Sequence, residues 1–183
     1  MPFVSLTRLR IRAWRYLPIV LVQTFRSAWQ AKSAKNCLSV FVLREAHHTF
    51  WTRTVWTDAP AMKFFMLSGV HRNVMPSLLE WRDEASVADW VQDSLKPPSW
   101  EEAHRRMQQE GRRSKVNHPS EAHQRFEIPT PIVRPTGELR FKSSQDAWES
   151  HVATLYDPRR HFATRVDTNI GTYQVEKKYV SVS

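Results

Sequence analysis

His71 stands in the stretch Ser68-Gly-Val-His-Arg72, just past a likely helix break. A neutral imidazole near pH 7 can act as a general base or ligate a metal. Trp51, Arg53 and Trp56 precede it within one segment, Thr49 to Trp56, and Phe65 and Trp81 lie on either side of it in sequence. Flat aromatic side chains suit a pocket for a planar ligand, and a guanidinium such as that of Arg53 could neutralise a carboxylate or oxyanion. Arg8, Arg10 and Arg12 alternate with Leu9 and Ile11. That spacing gives a strand with one basic face, either solvated at a sheet edge or forming a wall for an anionic group. His71 is therefore the catalytic candidate, and Arg8, Arg10, Trp51, Arg53, Trp56, Phe65 and Trp81 are the candidate ligand-binding residues.

Other chemistries lack the residues they need. His47-His48 would bind a metal only if a third ligand converged, and the spacing supplies none. Four glycines in 183 residues, with no Gly-rich loop, argue against a nucleotide-binding fold. No Ser-His-Asp order stands out. Cys37 is the single cysteine, so no internal disulfide can form and a cytoplasmic setting is expected. The net charge of +9 favours acidic partners without choosing among them. Basic and acidic residues are interspersed and no nucleic-acid recognition motif is visible, so nucleic acid is a disfavoured partner. No apolar run reaches the roughly 20 residues a membrane-spanning helix needs.

The elements that must position these side chains can be read in order. Residues 3–13 form a strand, and 17–34 an amphipathic helix with Pro18 in its first turn. Residues 37–44 form a second strand and the segment ending at Trp56 a third. On that third strand Phe50, Thr52, Thr54 and Trp56 share one face, while Trp51, Arg53 and Val55 share the other. Asp58 reads as an N-cap with Pro60 behind it, opening an apolar helix that breaks at Ser68-Gly69. His71 begins a second helical stretch, which Pro76 is expected to interrupt. Residues 85–92 read as a fourth strand, with helix as the competing reading. The order β-α-β-β-α-β is the split βαβ pattern of a ferredoxin-like α+β domain over residues 1–95. It places two helices on one face of an antiparallel sheet and leaves the other face to be covered.

Lys96-Pro97-Pro98 marks a boundary. Residues 96–183 form an extension, expected to pack on the domain or on a partner. In it Ser99 caps a polar, basic helix reaching about Arg113, and residues 117–136 are Pro-rich and extended. A turn at Gly137 precedes a short strand. Residues 144–156 read as a helix and 171–182 as a terminal strand.

Three stretches carry a family resemblance: Leu6-Thr-Arg-Leu-Arg-Ile11, the strand-to-helix turn Thr54-Val-Trp-Thr-Asp-Ala-Pro-Ala-Met62, and Ser68-Gly-Val-His-Arg72. Through them residues 5–92 resemble the dimeric α/β-barrel superfamily. That superfamily includes the antibiotic biosynthesis monooxygenase-like proteins, and the pattern is nearest to its uncharacterised bacterial and fungal members and to the repeated unit of spheroidene-monooxygenase-like proteins. The resemblance implies a homodimer in which a second copy covers the open sheet face, and a small-molecule pocket between sheet and helices. It implies oxidation of an apolar or aromatic, anionic metabolite, either without a cofactor or with haem. In a haem-binding member His71 would be the axial ligand, although Phe65 stands where such relatives often carry Trp. A non-catalytic binding module for acidic partners is the remaining alternative.

Overall fold

A computed structural model describes residues 1–134 and 136–141. The expected helix at 144–156 and strand at 171–182 lie outside the described residues. The chain begins with β1 (Phe3–Ile11), a 3-10 turn and α1 (Leu17–Ser33), followed by β2 (Cys37–Arg44) and β3 (Thr49–Trp56). Next come α2 (Ala59–Met66), α3 (Gly69–Trp81) and β4 (Arg82–Val91). The extension adds α4 (Trp100–Glu110), β5 (Arg112–Arg113), α5 (Glu121–Arg125) and β6 (Glu138–Phe141).

The strands form one sheet in the order β5-β4-β1-β3-β2-β6, and every pairing is antiparallel. The inner four, β4-β1-β3-β2, with helical segments after β1 and β3, are the ferredoxin-like arrangement expected. The short strands β5 and β6 extend both edges, so the extension is stitched to the domain by backbone hydrogen bonds. Residues 85–91 are strand, which overturns the helix alternative; the strand starts earlier than expected, at Arg82, and ends at Val91.

Local chemistry explains the boundaries around the second helical unit. Asp58 accepts a hydrogen bond from the Ala61 amide at 2.8 Å, and Pro60 sits in the first turn where no donor is lost. Gly69 makes the α2–α3 turn with φ +53°, a conformation costly for residues with a Cβ. A Cβ there would also meet the Gln30 side chain at 2.8 Å. Pro76 does not interrupt α3 as expected: the helix runs through it from Gly69 to Trp81. At Pro76 the ring replaces one amide, and the packed helix tolerates the lost bond.

The two sheet faces are covered differently. One face carries Ser5, Thr7, Leu9, Val40, Val42, Thr52, Thr54 and Val87, and meets α1, α2 and α3. The opposite face carries Val4, Leu6, Phe41, Leu43, Trp51, Val55, Ala88 and Trp90, and all are buried in one cluster with Trp100, Ala103, Met107 and Ile128. The expectation that a second copy covers this face is therefore corrected: α4 of the same chain lies there. The helix read as polar and basic carries a buried stripe, Trp100, Ala103, His104 and Met107, at spacings of three, one and three residues. That is the narrow apolar seam of a helix lying on a sheet. Its charges, Glu102, Arg105, Arg106 and Glu110, pair with one another on the outer side. Homodimerisation, also expected, would need a different surface.

Candidate functional site

Between the sheet and α1–α3 lies a hollow of about 170 Å³. Its floor is the Thr- and Val-bearing face of β1–β4 and its roof is built from Val20, Ala28 and Ala31 of α1, Met62 and Phe65 of α2, and Val74, Met75 and Leu78 of α3. The volume is close to that of engineered cavities of about 150 Å³ that admit benzene, so the space suits one aromatic ring. Small roof residues, Ala28 and Ala31, stand where larger ones would fill the gap. Thr7, Thr52 and Thr54 give the floor hydroxyls that an all-Val floor would lack.

His71 lines this hollow. Its ring lies 4.8 Å from that of Phe65, which lies 5.1 Å from that of Trp56, so three rings run from β3 to α3. The imidazole Nδ1 is 3.2 Å from the Met66 carbonyl. A carbonyl only accepts, so in the neutral ring Nδ1 carries the proton and Nε2 is the basic nitrogen. Burial pushes the imidazole pKa below its usual value; the Met66 carbonyl opposes that shift and the Arg82 charge adds to it. The ring is thus held neutral, in a fixed tautomer, beside an apolar space. Gln30 anchors the segment: its amide nitrogen donates to the Ser68 carbonyl at 3.1 Å, and its oxygen accepts from the His71 backbone amide at 3.2 Å.

The other sequence-chosen residues separate. Phe65 lines the hollow with His71, and Trp56 stands behind Phe65, with its indole N–H donating to Thr54 at 2.8 Å. Trp81 stacks on Tyr16 at 6.3 Å and joins a separate cluster with Ile11, Val20 and Phe50. Trp51 and Arg53 belong to the α4 face, as strand alternation requires, and do not line the hollow. Trp51 donates to Glu45 at 2.5 Å. Arg53 is buried between the rings of Phe41 and Trp100, at 4.5 and 4.2 Å, and donates to the Pro98 carbonyl. Its burial lowers its pKa to about 10, with Glu138 opposing the shift. Arg53 therefore fastens the start of α4 to the sheet.

The basic wall expected of Arg8, Arg10 and Arg12 is neutralised. Arg8 pairs with Glu84 at 2.6 Å, Arg10 with Asp83 at 2.7 Å, and Arg12 with Glu80 at 2.7 Å. Arg8 and Arg10 border a wider cleft of about 760 Å³ on the α4 side, with Glu45, Glu84 and Glu127 also on its rim. The cleft is larger than the hollow, but its cations already have carboxylate partners.

Sequence reasoning missed Arg82. It is buried, it lines the hollow, and it stands four residues after Leu78 on the line of residues that begins at His71. Continuing the helical spacing of α3 through the strand boundary would have found it.

No group of three or more His, Cys, Asp or Glu among the described residues is arranged to hold a metal. His47 and His48 occupy a tight turn, both with positive φ, and no third ligand joins them among the described residues. The residues around His71 do not fit haem, because the hollow has space for about one ring and a porphyrin has four pyrroles. Among the described residues no helix is long and apolar enough to cross a membrane.

No protein-family model matches the chain, and no curated protein matches it. Among solved structures the chain is similar to ferredoxin-fold proteins of the antibiotic biosynthesis monooxygenase type. A variant of SnoaB, a cofactor-independent oxygenase from Streptomyces nogalater, is 13% identical over 51% of this chain and 94% of its own, with a TM-score of 0.44. Rv0793 from Mycobacterium tuberculosis is 11% identical over 51% of this chain and 97% of its own, with a TM-score of 0.47. A putative antibiotic biosynthesis monooxygenase from Nitrosomonas europaea is 8% identical over 50% of this chain and 90% of its own, with a TM-score of 0.46.

Proposed function

We propose that the chain binds a small, largely apolar ligand of about one aromatic ring in the hollow between the sheet and α1–α3, with His71 as the base that takes a proton from it. The observation that carries this reading is the pairing of an unfilled apolar space with a neutral imidazole whose tautomer is fixed by the Met66 carbonyl. The half-buried ring has no carboxylate partner among the described residues, so its basic nitrogen is open to a proton from a group brought beside it. An acidic C–H or phenolic O–H on a bound ring is such a group. The motif resemblance in the sequence makes oxidation of the resulting anion by dioxygen the first reaction to assay.

Ligand-observed NMR with benzoate, benzamide and phenol tests the site. Thr7→Leu places a larger side chain in the floor and is expected to abolish binding of every probe that binds the native chain. His71→Gln is expected to leave binding within about threefold while removing any turnover of a substrate. Probe binding unchanged by Thr7→Leu would place the ligand elsewhere. Turnover unchanged by His71→Gln would remove the proposed base.

A further inference from the structure

Helical spacing carries the inner face of α3 into the first residue of β4. His71, Met75, Leu78 and Arg82 follow at steps of four, three and four, and all four line the hollow. Arg82 is 3% exposed. Its Nη2 donates to the Lys115 carbonyl at 3.2 Å, and its buried Nε, like those of Arg8, Arg12 and Arg53, has no hydrogen-bond partner among the described residues; what sets Arg82 apart is that no carboxylate pairs with its guanidinium among them. Nearby acids are committed elsewhere: Asp83 to Arg10, Glu84 to Arg8 and Arg10, and Asp89 to Arg112. Arg53 makes the contrast plain. That guanidinium is also buried, but two aromatic faces, a backbone carbonyl and Glu138 surround it. Among the described residues Arg82 has one carbonyl as hydrogen-bond partner. Burial alone accounts for the lowering of its pKa to about 10. A buried cation with so little compensation is costly to the fold and is retained most simply where a ligand completes its coordination.

We propose that Arg82 is the anion-recognising group of the hollow, so that the ligand carries a carboxylate, or an oxyanion of similar planar geometry, beside β4 and points its ring toward Phe65 and His71. This inference rests on the reading of the hollow as a ligand site. A guanidinium offers parallel donors that match a carboxylate, whereas a lysine would offer a point charge. The assignment also replaces Arg8, Arg10 and Arg53 in the role that the sequence reading gave them.

Benzoate and benzamide are nearly the same shape and differ in charge, so calorimetric titration of the full chain with each isolates the anionic contribution. Native protein is expected to bind benzoate at least about tenfold more tightly than benzamide. Arg82→Met is expected to erase that preference while leaving benzamide affinity within about threefold, and to melt no lower than the native protein in the absence of ligand. Equal affinities in the native protein, or a preference that survives in Arg82→Met, would overturn the role of Arg82 and leave the hollow standing. Failure of both probes to bind the native protein would remove the hollow as well. If Arg82→Met does not fold, Arg82→Lys is read in its place. A preference cut at least about threefold supports the planar fork, and an unchanged preference overturns it.

Discussion

The two faces of this sheet are built from the same four strands yet do different work. Where α4 packs, the sheet is filled: Trp51, Leu6, Leu43 and Met107 are fully buried in one cluster, and the cations on that face, Arg8 and Arg53, are paired or stacked even where Arg8 borders the cleft. The α1–α3 face is left unfilled: alanines line the roof, threonines the floor, and one cation, Arg82, has no acidic partner among the described residues. Strand alternation makes this division possible, because neighbouring residues of β1 and β3 serve opposite faces. The lesson is that the heavily aromatic face is the one that holds the fold together, while the sparser face is the one open to chemistry.

The largest effect that can break this contrast is on the filled side. Trp100→Ala removes the indole that covers Arg53 and should cost ~3–5 kcal/mol in denaturant unfolding, as for other buried aromatics. A cost near zero would mean that α4 does not seal the sheet. A matched pair of enlarging substitutions sharpens the point. Ala88→Leu, on the filled face, should destabilise by ~1–3 kcal/mol, whereas Thr7→Leu, facing the hollow, should stay within ~1 kcal/mol of the native protein. Equal costs for the two would erase the distinction between a packed and an unpacked face.

Next in size is a pH effect. Burial holds the His71 pKa below its usual 6.5, so the folded chain binds fewer protons there than the unfolded chain. Its contribution to stability is fully present above pH 6.5 and is lost as pH falls through the folded-state value. Melting temperature should therefore drop on acidification, and His71→Gln should flatten part of that drop. His123, depressed first by burial and then by the Arg113 charge, supplies a further part and remains in the variant. An unchanged slope in His71→Gln would place the imidazole in water. The smallest effect belongs to the outer side of α4. The Arg105 and Arg106 hydrogen bonds hold the Glu102 carboxyl down to about 2, but the group is nearly solvent-exposed. Glu102→Gln should cost only ~0.2–1 kcal/mol, declining with salt.

Much of the frame was legible in the residues. Asp58 with Pro60 gave the start of α2, Ser68-Gly69 its end, and alternation in residues 49–56 sorted Phe50, Thr52, Thr54 and Trp56 from Trp51, Arg53 and Val55 before any coordinates. Of the residues chosen for the candidate site, His71, Phe65 and Trp56 stand in one row of rings. Trp51 and Arg53 were chosen for their chemistry although their own alternation already put them opposite Trp56. The cover of the second face was misread because Val4, Leu6, Val55 and Trp90 demand an apolar partner without saying whose. The answer lay in Trp100, Ala103 and Met107, a seam hidden among eight polar or charged neighbours in the eleven residues of α4. Arg82 is hard to read from sequence because it sits on a boundary, where helical spacing gives way to strand alternation. The carboxylates that neutralise Arg8, Arg10 and Arg12 come from residues 80–84, about seventy positions away, and no local pattern joins them.

The central claim is that ligand enters the hollow on the α1–α3 side, and neither the packed core under α4 nor the cleft beside Arg8 and Arg10. Methyl-resolved NMR during benzoate titration tests it most directly, since both faces are rich in methyl groups. The account predicts shifts at Val20, Val42, Met62, Val74, Met75 and Leu78, with Leu6, Leu43, Val55, Met107 and Ile128 unmoved. Shifts gathered on the second set, or on neither, would contradict it.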